Sequence, residues 1–210
     1  MSRRKDTEPI VLPACNTCGL REAGTDEAGR GCLAGPVFAA AVILPDDYPL
    51  EGLNDSKQLS AAARRRLADI IRRDAVAWAV ASLTAAEIDE INILRASIAA
   101  MHRALDALPV RPGAVIVDGN RFVPYAGLPC TTFVKGDGRF ANIAAASILA
   151  KTERDRFMEE ADSLYPGYGW AKNKGYPTAE HRRAIAALGP SPLHRMSFRL
   201  LPDATPSLFD

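Results

Sequence analysis

Residues 24–44 read GTDEAGRGCLAGPVFAAAVIL, a glycine-dense, acid-bearing segment that runs straight into an unbroken apolar stretch. Val37 to Leu44 is rich in Val, Ile and Phe, as a buried strand should be. With a strand before the glycines and one after them, the chain is expected to open as a hairpin. Working outward, Ser60 is placed to cap a helix through AAARRRLADIIRR, and Val76 to Leu83 reads as a further strand. Thr84-Ala-Ala-Glu87 has the form of a capping box, and Ile91, Leu94, Ile98, Met101, Leu105 and Leu108 follow at helical spacing. AVIVDGN (114–120) and Thr131 to Val134 read as short apolar strands, each ending on acid and turn residues. Asn142 to Asp162 is a second long helix, small-residued in its first half and charged in its second. YPGYGWAKNKGYPT reads as loop, and Ala179 to Leu188 as a short helix before an irregular, Pro-rich end. Strands first and alternation afterwards predict an α/β fold with a mixed central sheet flanked by helices and a short helical or irregular C-terminal extension.

Composition narrows the function classes. The chain has 210 residues, 48% hydrophobic and 24% charged, with 26 Lys plus Arg against 25 Asp plus Glu. That excludes disorder throughout and a uniformly basic coat, and leaves room for one well-cored domain. The longest apolar run, Gly35 to Leu44, is about half the roughly 20 residues a membrane-spanning helix needs, so a membrane protein is not expected. The four cysteines are too sparse for a disulfide framework, which fits a cytoplasmic protein. Cys15 and Cys18 form a CxxC, but Cys32, Cys130 and the three histidines (His102, His181, His194) show no zinc spacing, so the pair is read as incidental.

Three acidic positions share one context: Asp26-Glu27 in a glycine-rich turn, Asp118 in VIVDGN and Asp137 in FVKGDG. Each follows an apolar segment and precedes glycine. Carboxylates at adjacent strand ends repel one another unless cations are shared between them, and hard divalent ions, Mg²⁺ or Mn²⁺, suit oxygen ligands. Such a cluster serves in-line displacement at phosphorus, where two ions stabilise the attacking and leaving oxygens. No GxxxxGK[ST], GxSxG or HExxH is present to suggest other chemistry. Asp137 taken alone reads as a turn residue. Gly29 and Gly31 allow close backbone approach, and Arg30 between them can meet a phosphate.

The string Asp26-Glu27-Ala28-Gly29-Arg30-Gly31 with LAGPV (33–37) resembles the opening signature of the ribonuclease HII family, the type 2 ribonucleases H. In order follow NDSKQLS (54–60), VDGN (118–120 with Val117), VKGD (134–137), AAASILAKTERDRFM (144–158), KGYPTAEH (174–181) and HRMSF (194–198), each similar to a family block. The resemblance covers roughly residues 21–200. It implies a ribonuclease H-like fold and a metal-dependent endonuclease acting on RNA in RNA/DNA hybrid duplexes and on single ribonucleotides in DNA. Cleavage on the 5′ side of the ribonucleotide would leave a 3′-hydroxyl and a 5′-phosphate, as ribonucleotide and RNA primer removal require. The implied metal-binding and catalytic acids are Asp26, Glu27, Asp118 and Asp137, with two ions during catalysis. The resemblance also implies that Gly29, Arg30 and Gly31 read the ribose 2′-hydroxyl and that Tyr176 packs against the sugar of the next nucleotide. Lys57, Ser147 and Lys151 would contact phosphates. Thr25 and the Gly138-Arg139 pair depart from the family pattern. Asp155, in the ERDR segment, reads as a solvated i,i+4 partner.

By this reading residues 1–20 are a flexible leader, 21–200 the catalytic domain and 201–210 a tail of a monomeric protein. The tail's TPSLFD is similar to the Leu-Phe peptides by which bacterial repair proteins dock on the sliding clamp. From Ala171 to Arg199 there are six Lys or Arg against one acid, Glu180, a tract suited to tracking phosphates. Two other readings compete: a non-catalytic binder of hybrid duplexes, and a related two-metal nuclease such as type 3 ribonuclease H. The full set of four acids argues against the first, and the lack of room for an N-terminal substrate-binding domain against the second.

Overall fold

The computed structural model describes residues 12–17, 19–46, 48 and 60–201. Lys57, Cys18 and the tail motif lie outside them. Strands β1 (Glu22–Ala28), β2 (Val37–Ile43) and β3 (Ala77–Leu83) form an antiparallel meander. β4 (Ala114–Asp118) and β5 (Cys130–Phe133) add on parallel to β1, giving the order β3-β2-β1-β4-β5. β2 is buried on both faces, which is why it reads as a continuous apolar run. Its Ala40 and Val42 pack on one side with α1 (Ala61–Asp74) and α4 (Ala141–Leu164), while Val37, Ala39, Ala41 and Ile43 face α2 (Ala85–Ile91) and α3 (Ile93–Asp106). The period-2 alternation thus divides the sheet between two cores. A third core joins the second half of α4 to α5 (Trp170–Asn173) and α6 (Ala179–Leu188).

The expected caps form. Ser60 Oγ accepts from the Ala63 amide, and Thr84 and Glu87 make both bonds of the capping box. α4 lies against β1 so closely that a Cβ on Gly24 would sit 2.2 Å from the Asn142 carbonyl carbon. Asn142 stitches the sheet to this helix: its Oδ1 accepts from the Leu44 amide and its Nδ2 donates to the Glu22 carbonyl. Residues 12–17, assigned to the leader on sequence, pack here as well. Leu12, Ala14 and Cys15 are buried, and the Pro13 and Ala14 carbonyls accept from the Ala141 and Asn142 amides at the start of α4.

Four expectations are corrected. The helix read from Thr84 to Leu108 is two helices, broken at Asn92, whose φ of 68° and ψ of 162° are strained for any residue but glycine. Its side chain then caps α3 by accepting from Leu94 and Arg95. Asp26 and Glu27 are not in a turn but in β1, opposite Ala40 and Ala39 of β2. β5, read as a second apolar strand over Thr131 to Val134, is the half-exposed edge strand CTTF. The segment read as loop after Leu164 contains the single turn α5. Among the described residues no helix is long and apolar enough to cross a membrane.

Candidate active site

The cleft begins where parallel neighbours end. Thr25 pairs with Val117, so Asp26 and Asp118 come one residue beyond that pair, at the C-terminal ends of β1 and β4. Because successive strand residues face opposite sides, Asp26 turns toward Ser147 of α4, and Glu27 also lines a hollow against Leu94, Ser97, Ile98 and Met101 of α3. Asp26 is only 6% exposed. Burial, reinforced by the charges of Glu27 and Asp118, holds its carboxyl well above the usual range. Ser147 and the Glu27 amide, at 2.7 Å, act against that rise by donating to it. Burial likewise raises Glu27, partly offset by Arg30, whose Nη1 donates to Oε1 at 3.1 Å. Asp118 Oδ1 accepts from the Gly136 amide at 2.7 Å. Asp137, buried in the 3-10 turn Gly136–Gly138, is therefore next to the residue that anchors Asp118, although it does not line the cleft.

The cleft of about 290 Å³ gathers Asp26, Glu27 and Asp118 with Gly29, Arg30, Gly31, Ser147, Lys151 and Tyr176. Arg64 of α1 lines it too, which sequence reading missed. Lys151 Nζ donates to Asp155 Oδ1 at 2.6 Å and lies 5.6 Å from the Tyr176 ring centroid. Asp155 Oδ2 also accepts from Arg64 Nη1 at 3.3 Å. The i,i+4 pair expected at Asp155 exists, but it is not solvated: the Asp155 side chain is 14% exposed and braces two cations from different helices. A half-buried carboxylate between α1 and α4 cannot be read from helical spacing alone. Tyr176 lies beside Cys32, the residue after Gly31.

The basic tract needs a correction of its own. Arg195 is fully buried, and Lys172 and Lys174 pair with Glu180 and Glu159. Lys172, Arg183 and Arg199 are exposed, so the outward charge is smaller than the count of six implied. His181 and His194 are also interior, 3.2 Å apart through their Nε2 atoms beside Trp170. The departures from family pattern are accommodated: Thr25 Oγ1 donates to the Ala40 carbonyl at 2.7 Å, and Arg139 lies 4.7 Å from the Phe133 ring centroid.

Among the described residues no three His, Cys, Asp or Glu side chains close on one point as ligands. The donor set nonetheless fits a hard cation. It is all carboxylate oxygen, and the burial and mutual repulsion that raise Asp26 are the costs a divalent ion would offset.

A protein-family model described as Ribonuclease HII matches residues 23–201. The ribonuclease HII of Parabacteroides distasonis is 59% identical over 194 residues, which are 92% of this chain and 97% of that protein. Among solved structures, the RNase HII of the Archaeoglobus fulgidus PCNA:RNase HII complex has a TM-score of 0.74 at 29% identity, covering 89% of this chain and 98% of that one. Bst-RNase HIII in complex with Mn²⁺ has a TM-score of 0.66 at 23% identity, covering 86% and 68%, and shares the ribonuclease H-like fold. With the family matched across both β1 and the C-terminal segments that meet at the cleft, the chain belongs to the ribonuclease HII family and is a ribonuclease H, an endoribonuclease.

Proposed function

We propose that this ribonuclease H is a metal-dependent endonuclease that hydrolyses the phosphodiester on the 5′ side of ribonucleotides, in RNA/DNA hybrids and at single ribonucleotides within duplex DNA. The products are a 3′-hydroxyl and a 5′-phosphate, as ribonucleotide and primer removal require. The observation that carries the reading is one cleft holding Asp26, Glu27 and Asp118 together with the Gly29-Arg30-Gly31 loop and Tyr176.

Asp26, Glu27, Asp118 and Asp137 would hold two ions, Mg²⁺ or Mn²⁺. Bound there, divalent ions supply activation of water and charge stabilisation at the leaving oxygen. The chain's own groups set the stage. Ser147 and the Glu27 amide orient Asp26, and the Gly136 amide fixes one oxygen of Asp118. Gly31 lets the backbone approach the ribose, whose 2′-hydroxyl separates RNA from DNA, and Gly29 gives the loop the left-handed turn that draws it against α4. Arg30 exchanges Glu27 for a phosphate, and Lys151, Lys57 and the newly found Arg64 track the backbone. Tyr176, 40% exposed at the cleft wall, packs on the following sugar and favours a deoxyribose. The tail Thr205–Asp210 is proposed to contact a sliding clamp, an idea the PCNA complex of the Archaeoglobus fulgidus protein supports.

The test is cleavage of a labelled DNA duplex holding one ribonucleotide, with Mg²⁺, Mn²⁺ or chelator, by wild type and Asp118→Asn. Chelation should abolish cutting, and the substitution should cost more than the roughly 10- to 100-fold typical of groups that only support a ligand. Full-rate cutting by either would overturn the metal-acid assignment. A wild type that bound the duplex without cutting it would overturn cleavage at single ribonucleotides.

A further inference from the structure

The cleft's two selective parts, the glycine loop after β1 and the segment bearing Tyr176, are far apart in sequence, and a buried guanidinium lies between them. Arg154 of α4 has no exposed surface. Its Nε donates to the Pro36 carbonyl at 3.1 Å and its Nη2 to Ala34 at 3.0 Å, both downstream of the glycine loop. Its Nη1 donates to the Lys174 carbonyl at 2.8 Å, two residues before Tyr176. The Leu33 amide reinforces the link by donating to the Gly175 carbonyl at 2.8 Å.

The glycines record how tightly the loop is drawn in. A Cβ on Gly29 would lie 2.0 Å from Arg154 Nε, and one on Gly175 would lie 2.5 Å from the Ala34 carbonyl oxygen. Both have φ in the left-handed region, +98° and +80°. Three carbonyls on two segments, met from different sides of one plane, suit a guanidinium fork and not the single ammonium of lysine.

We infer that Arg154 is a positioning residue that registers the glycine loop against the Tyr176 segment, so that selectivity for the RNA-to-DNA junction depends on it. The inference rests on the roles proposed above for the loop and for Tyr176. Arg154 touches no substrate; it fixes the separation between the group that reads the ribose and the ring that packs on the next sugar.

The experiment compares kcat and KM on a single-ribonucleotide duplex and on a long all-RNA hybrid for wild type, Arg154→Lys, Tyr176→Ala and the double variant. A misplacement of about 1 Å can cost up to about a hundredfold, so Arg154→Lys should lower the junction-to-hybrid ratio of kcat/KM by about tenfold or more, chiefly through kcat. The double variant should be no less selective than Tyr176→Ala alone, because residues acting through one another are not additive. Equal loss on both substrates, or additive losses of selectivity, would make Arg154 an ordinary structural residue and overturn the inference. If Arg154→Lys does not fold, Arg154→Met, which leaves no buried cation, enters the same cycle with the same expectations. A Tyr176→Ala variant that kept the wild-type ratio would overturn the tyrosine's role and this inference with it, a pattern distinct from failure at Arg154 alone.

Discussion

Gly29 and Gly31 look equivalent in the string Gly-Arg-Gly, but the chain uses them for different reasons. Gly29 has a φ of +98° and presses on Arg154, whereas at Gly31 a Cβ would meet nothing within 4 Å and no positive φ is required. Gly29→Ala therefore combines left-handed strain with overpacking, each roughly 1–3 kcal/mol. At about 2–4 °C per kcal/mol for a chain of this size, the melting temperature should fall by roughly 5–20 °C. Gly31→Ala should melt like the wild type and lose cleavage, since only the approach of substrate backbone would be blocked there. Thermal melts paired with cleavage assays on both variants check this; equal melting temperatures would refute the distinction. Thr25 carries a related lesson. It looks like a departure in an apolar strand, and the structure satisfies it with one hydroxyl bond to Ala40.

At the scale of elements, what could be read from the sequence was what depends on local periodicity and capping. Ser60, the Thr84–Glu87 box and the limits of α6 follow from rules acting within a few residues. The break at Asn92 escaped because the apolar spacing continues across it, and Asp155 and Arg154 escaped because their partners are far away in the chain. The same holds for His181 and His194, whose environment forms only when α5, α6 and the last segment meet. His181 Nδ1 lies 2.9 Å from the Tyr176 carbonyl, so that nitrogen carries the proton, and Nε2 accepts from Trp170 Nε1 at 2.9 Å. His194 Nδ1 accepts from the Ser191 amide, which puts its proton on Nε2, 3.2 Å from His181 Nε2, where it shares that nitrogen's one lone pair with the Trp170 N–H. Burial lowers the pKa of both rings, His194 to about 4, helped by His181. The unfolded imidazoles, near 6.5, bind protons more readily than the folded ones. Stability from this network is therefore complete above about pH 6.5 and is lost as pH falls through that value toward the folded pKa. Melting followed by near-UV circular dichroism from pH 7.5 to pH 4.5 should show this decline in wild type and a shallower one in His194→Gln. Parallel curves would mean that other groups set the acid sensitivity.

For the whole molecule, the near-zero net charge conceals a buried acidic centre whose cost is borne by the fold. The location of that centre was legible because Asp26, Glu27 and Asp118 fall at ends of apolar strands; Asp137, expected mainly from the family blocks, is buried beside Gly136 and does not line the cleft. The pairing of β1 with β4 was not legible, since it is a long-range parallel contact, and it is this pairing that brings the acids together. Burial and the charges of Glu27 and Asp118 raise Asp26, so the metal-free fold at neutral pH carries repulsion that a bound cation would relieve. An ion that binds the native state alone adds RT ln(1 + [L]/Kd), about 2.7 kcal/mol at a hundredfold excess over Kd. For a domain of this size that corresponds to a rise of roughly 5–11 °C in melting temperature. Saturating Mn²⁺ or Mg²⁺ should give wild type such a rise over chelator. Asp118→Asn should lose most of it, while melting in chelator at or above the wild-type temperature, because asparagine can still accept from the Gly136 amide without adding charge beside Asp26. Equal metal-induced shifts in the two proteins would show that the ions bind elsewhere, and a lower melting temperature for Asp118→Asn in chelator would show that the carboxylate cluster does not strain the fold.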